Sequence, residues 1–127
     1  MNLNNFTFNT TSGIRFGSGT SVSYSQEISK ILGSNILFIT DKDLMSLKLT
    51  EPTLNQLKKF SSKVEIFEDV EADPSLKTLL KSIEIGKKMN ATGVIGFGGG
   101  SPMDVAKLTS LILGSNENIE EAWGVSN

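Results

Sequence analysis

Apolar positions along this chain gather into three short runs: ILFI at 36 to 39, VEIF at 64 to 67 and VIGF at 94 to 97, which start 28 and 30 residues apart. Runs of this length at this spacing predict the strands of βα units. Between them the period changes to that of a helix. Leu76, Leu79, Leu80 and Ile83 share one helical face, and DPS at 73 to 75 offers an Asp cap with Pro at the first helical position. The segment from Leu44 to Phe60 is predicted as two helices, because Pro52 cannot sit inside one continuous helix. Ahead of the first run, Val22, Ile28, Ile31 and Leu32 predict a helix ended by Gly33.

Alternating strand and helix is the signature of a parallel sheet covered by helices, whose strands are continuously apolar because both faces are buried. The expected fold is therefore a Rossmann-like, doubly wound α/β domain with a mainly parallel sheet, spanning residues 1 to 127 as one unit. The first 18 residues differ: FTF and GIRFG read as a strand pair at an edge, an arm through which copies of the chain could associate.

Composition narrows the class. A chain of 127 residues that is 38% hydrophobic can bury the core of one ordinary domain. Its net charge of -2, from 12 basic and 14 acidic residues spread along the chain, gives no footprint for nucleic acid or an anionic membrane. No apolar run approaches the roughly 20 residues that cross a bilayer. The amino end lacks the basic start and apolar stretch of a signal peptide, so a cytoplasmic location is expected. The absence of cysteine excludes disulfides, thiolate metal sites and thiol catalysis. The absence of histidine removes the commonest general base and a common metal ligand.

The candidate chemistry lies in VIGFGGGSPMDVAK, residues 94 to 107. On the βα frame this is a strand, a glycine turn and a helix. Ser101 is the expected cap, Pro102 the first helical residue, and Asp104 completes a capping box with Asp in place of Glu. Gly98, Gly99 and Gly100 would let an anion reach the amides of the first turn, and the expected anion is a phosphate. The bland alternative is a tight βα turn that binds nothing. A P-loop is excluded, because Gly100 is followed by Ser101 and Pro102 instead of Lys and Ser/Thr. The usual dinucleotide order also fails, since the later acids Glu117, Glu120 and Glu121 follow no apolar run. Asp41 does end an earlier run, in ILFITDKDL, and the carboxyl ends of parallel strands share one edge. Asp41 and Gly98 to Ser101 can thus face one crevice, although Asp41 would equally serve as a helix cap and Asp104 as a capping residue. Lys107, on the same helix, reads as a solvated residue.

GGGSPMDVAK, with TDKDL upstream and DPS between them, resembles the amino-terminal half of the iron-containing alcohol dehydrogenase family. GIRFGSGT and ENIEEAWG are similar to that family's opening strand and to its segment after the glycine helix. The resemblance implies a nicotinamide dinucleotide, with Gly98, Gly99, Gly100 and Ser101 at the pyrophosphate and Asp41 at the adenosine ribose. Asp73 matches a position near the cofactor that is often Asn in the family, and Asp104 an aspartate toward the nicotinamide. A carboxylate at the ribose favours NAD over NADP. The family's metal is held by one Asp and three His from a helical carboxyl-terminal domain, so iron or another divalent metal is not expected to be bound by this chain.

The chain accordingly reads as the cofactor-binding fragment of an oxidoreductase, inactive alone and partnered by that carboxyl-terminal domain. A non-catalytic nucleotide-binding module, or a glycerol or sugar-phosphate dehydrogenase branch of the same fold, stands as the alternative.

Overall fold

The computed structural model describes residues 13 to 115. Strands β1 (Asn35–Ile39), β2 (Lys63–Phe67) and β3 (Gly93–Gly96) form a parallel sheet in the order β2-β1-β3. Ile36 pairs with Val64 and Gly93, and Ile39 with Phe67 and Gly96. The carboxyl ends of all three strands therefore lie level along one edge.

Central strand β1 is covered on both faces, and each of Ile36, Leu37, Phe38 and Ile39 is 0% exposed. The two-residue period of a strand divides them. Leu37 and Ile39 pack with Leu79 and Ile83 of α5 (Leu76–Lys88) and with Val105 and Ile112 of α6 (Gly100–Ser115). Ile36 and Phe38 pack with Leu54 and Leu57 of α4 (Glu51–Phe60), with Ile28 and Leu32 beside them. This is the doubly wound arrangement, and it explains why ILFI has no polar alternation. Fully burying each such side chain contributes about 1.5–3 kcal/mol, so disruption of β1 would be felt on both faces.

The expected break at Pro52 is present. A short α3 (Lys42–Ser46) is followed by α4, with Pro52 in its first turn where no amide bond is lost. The helix expected before β1 is two pieces, α1 (Thr20–Ser23) and α2 (Ser25–Leu32), and Gly33 ends the second at φ 85°. FTF lies outside the described residues. GIRFG forms no strand; Ile14 and Phe16 are exposed, and Arg15 stacks over the Tyr24 ring at 5.4 Å.

Two helix starts differ from expectation. Helix α5 is capped by Ser75, whose Oγ accepts the Thr78 N–H at 3.2 Å. Asp73 cannot take that role because it sits at φ 49°, whereas a cap needs extended backbone such as Ser75 has. Helix α6 begins earlier than expected, with the Met103 N–H donating to the Gly99 carbonyl at 3.3 Å. Gly99 thus occupies the cap position and Pro102 the third helical position, still among residues whose amides need no partner. Ser101 is inside the first turn, and Asp104 is too far along to close a capping box.

Candidate functional site

The strand ends are fastened at Thr40, which is fully buried. Its N–H donates to the Phe67 carbonyl at 2.9 Å and its hydroxyl to the Phe97 carbonyl at 2.9 Å, while the Phe97 N–H donates to the Ile39 carbonyl at 2.9 Å. The Phe97 ring packs against Phe38, with centroids 5.5 Å apart. Backbone is therefore fixed up to the residue before the glycine turn. Beyond this edge opens a cleft of about 780 Å³, bounded by Asp41, by residues 68 to 72, by Ser75 and Thr78, and by Gly99 to Pro102. The crevice at the carboxyl ends of the strands is where open parallel sheets take their ligands.

The three glycines are not equivalent. Gly98 adopts φ 134°, and a Cβ placed there would come within 2.7 Å of Leu44 Cδ1. Glycine at 98 is thus required by the fold. Gly99 and Gly100 lie outside the positive-φ region, and a Cβ on either would meet nothing within 4 Å. Packing demands neither of them; the cap position mildly favours glycine at 99, whereas at 100, inside the first helical turn, glycine is a cost that a tight turn does not explain. Helix α6 presents the amides of Gly99, Gly100 and Ser101 without intrahelical partners, while Pro102 carries no N–H. These donors, at the positive end of a long helix and lining the cleft, suit an anion that must touch the backbone.

Gly96, which the sequence pattern did not single out, sets the approach of that helix. A Cβ there would lie 2.8 Å from Ala106 Cβ and 3.1 Å from Met103 Cα. Its absence lets α6 settle close on β3, which fixes the direction in which the first-turn amides point. A glycine inside an apolar run was the available signal.

Asp41 is the cap of α3: its backbone is extended and its Oδ1 accepts the Leu44 N–H at 2.8 Å. The other oxygen, Oδ2, lies beside the turn, 3.7 Å from where a Cβ on Gly98 would stand. The carboxylate therefore caps a helix with one oxygen and presents the other near the glycine turn. Lys42 is paired with Asp69 at 3.3 Å, with both side chains largely solvated, an interaction worth little by itself.

The structure brings Asp41 and Gly98 to Ser101 together and places the remaining candidates apart. Asp73 is exposed and does not line the cleft, although its neighbours Ala72 and Ser75 do. Its φ of 49° is a conformation that Asp and Asn tolerate better than most residues. Asp104 and Lys107 are exposed on α6 and do not line the cleft. Glu71 was missed. Its Oε1 accepts the Ser75 N–H at 2.8 Å and the Thr78 hydroxyl at 2.6 Å, and its Oε2 lies 2.8 Å from the same hydroxyl. These bonds hold its carboxyl below the usual carboxylate range, the Thr78 hydroxyl being the largest cause and the Ser75 amide the next.

Comparison with known proteins decides the family. The model of the iron-containing alcohol dehydrogenases matches residues 11–126. The chain belongs to the iron-containing alcohol dehydrogenase family. It is 31% identical over 101 residues to a choline dehydrogenase of Bacillus subtilis, a match that covers 80% of this chain and 25% of that protein. It is 34% identical over 94 residues to aldehyde-alcohol dehydrogenase 2 of Entamoeba histolytica, covering 72% of this chain and 11% of that one. The structure of NADH-dependent butanol dehydrogenase A from Thermotoga maritima superposes with a TM-score of 0.81 at 26% identity, covering 92% of this chain and 30% of the other. The chain thus spans about a quarter of the length of the Bacillus relative. In this family member the residues at hand do not fit an iron site. The chain has no histidine, and among the described residues no group of three or more His, Cys, Asp or Glu is gathered to hold a metal. Among the described residues no helix is long and apolar enough to cross a membrane.

Proposed function

We propose that this chain positions NAD for a metal-dependent alcohol dehydrogenase, with the pyrophosphate on the Gly98 to Ser101 turn and the adenosine ribose at Asp41. The observation that carries the proposal is the open space before Gly99 and Gly100, where neither backbone nor packing requires glycine. The first-turn amides of α6 supply donors to phosphate oxygens, and the helix dipole favours the negative charge. Asp41 Oδ2 accepts from ribose hydroxyls and repels a 2′-phosphate, which favours NAD over NADP. The family resemblance sets Asp73 near the cofactor and Asp104 toward the nicotinamide; both are exposed and line no part of the cleft, so neither is assigned a contact. When bound, the nicotinamide supplies reversible hydride transfer with an alcohol carbon. The described residues contribute binding and orientation to that reaction, and the metal ligands come from elsewhere. Family membership favours this reading over a stand-alone phosphate-binding module or a sugar-phosphate branch.

Calorimetry tests it. Gly99→Val should abolish NAD binding, and Asp41→Gly should improve NADP binding relative to NAD; unchanged binding in both variants would remove the assignment.

A further inference from the structure

A capping box satisfies the amide of the cap residue with an acid or amide side chain three residues into the helix. Helix α5 has the cap, Ser75, but its third residue is Thr78, whose hydroxyl donates to Glu71 and leaves the Ser75 amide to find its acceptor there too. Glu71 fills the role from the other side. It stands four residues before the cap, outside the helix, and accepts the Ser75 N–H at 2.8 Å. Thr78, buried beneath it, turns its hydroxyl outward to donate to the same carboxylate at 2.6 Å. The Ser75 hydroxyl in turn accepts the Thr78 N–H at 3.2 Å.

The result is a closed ring of side-chain bonds around residues 71 to 78, the connection from β2 into α5. This connection includes Asp73 at φ 49° followed by Pro74, backbone that does not lie in a regular element. Glu71, Ala72, Ser75 and Thr78 all line the cleft that Gly99, Gly100 and Ser101 also line. The loop is one wall of the proposed site, and the carboxylate is what ties it to the helix.

We propose that Glu71 is a positioning residue for dinucleotide binding, holding the β2–α5 loop in the shape that the cleft requires. The proposal rests on the NAD-binding reading above. Its mechanism is preorganisation: a loop already fixed loses less conformational freedom when the ligand arrives. The decisive feature is an acceptor oxygen at the right reach, since Oε1 alone accepts from both Ser75 and Thr78. A neutral side chain with the same oxygen should therefore serve, and a shorter acid should not.

The test is the dissociation constant for NAD measured on the whole chain, wild type against Glu71→Leu, Glu71→Gln and Glu71→Asp, with far-ultraviolet circular dichroism to confirm folding. Glu71→Leu and Glu71→Asp should weaken NAD by about tenfold through loss of the preorganised wall, whereas Glu71→Gln should stay within about twofold of wild type. If the leucine variant does not fold, the comparison of Asp with Gln carries the test, as both keep a polar side chain. Equal affinity in all variants while wild type binds overturns the role of Glu71 alone. Weakening in Glu71→Gln equal to that in Glu71→Leu also overturns it, because charge and not the acceptor geometry would then matter. Failure of the wild-type chain to bind NAD overturns the parent reading and this proposal with it.

Discussion

A single methyl group added at Gly98, Gly99 or Gly100 separates what the fold needs from what a ligand needs. At Gly98 the methyl must be carried at φ 134° and must displace Leu44 Cδ1, which stands 2.7 Å from its position. Strained backbone of this kind costs on the order of 1–3 kcal/mol. For a domain of this size that lowers the melting temperature by roughly 4–20 °C. At Gly100, in the first turn of α6, the methyl meets nothing, and alanine is the better helix former by up to about 1 kcal/mol. Gly100→Ala should therefore melt no lower than wild type. At Gly99, the cap position, alanine costs about 0.5–1 kcal/mol, because it caps less well than glycine. Binding should follow the opposite order. In the proposed site a methyl at 99 or 100 stands where the pyrophosphate approaches, and losing one charge-assisted bond of about 1.5–3 kcal/mol should weaken NAD about ten- to hundredfold. Thermal melts followed by circular dichroism, paired with calorimetric titration of NAD, read both quantities. The reasoning is refuted if Gly100→Ala melts as low as Gly98→Ala, or if it binds NAD like the wild type.

Further expectations follow from the same site. Asp41→Ser keeps an oxygen that can cap α3 but removes the carboxylate, so stability should change by under about 1 kcal/mol while the ratio of NADP to NAD affinity rises; parallel titrations with both cofactors check it. Thr40→Val leaves the Phe97 carbonyl without its hydroxyl partner at the end of β3 and should destabilise by about 1–3 kcal/mol in urea unfolding. The Glu71 carboxyl is held below its ordinary 4.5, so its ionised form favours the folded chain: that contribution is complete above 4.5 and is lost as pH falls through the lower folded value. Melting temperature should accordingly fall more steeply below pH 4.5 in the wild type than in Glu71→Gln, and parallel slopes would contradict this.

How much of this was legible in the sequence depends on the kind of force involved. The strands were readable because burial on two faces leaves a local mark, four successive apolar residues from Ile36 to Ile39. The break at Pro52 was readable because proline acts on its own backbone. Helix starts were placed less well, since a cap is chosen by backbone geometry as well as by residue type. Asp73 and Ser101 have capping side chains, yet Asp73 is held at positive φ and the chain at Ser101 is already helical. The glycine motif suggested an anion site, but it could not separate Gly98, which the turn requires, from Gly99 and Gly100, which it does not. Glu71 escaped notice because its role exists only in three dimensions, across a loop to Thr78, while Gly96 left one local mark, a glycine inside an apolar run, that does not name Ala106 as the residue it makes room for. Asp41 shows the reverse: both roles foreseen for it, cap and cleft acid, are compatible with its two oxygens.

The central claim is that the backbone amides at the start of α6 receive the pyrophosphate of NAD. Titrating NAD into the isotopically labelled chain while recording amide proton and nitrogen shifts tests this most directly, because even weak binding is seen residue by residue. Saturable shifts are expected at Gly99, Gly100 and Ser101, with a second group at Asp41 and Leu44, the proposed position of the ribose. Saturable shifts that leave these residues unmoved, or no saturable shifts at all, would contradict it.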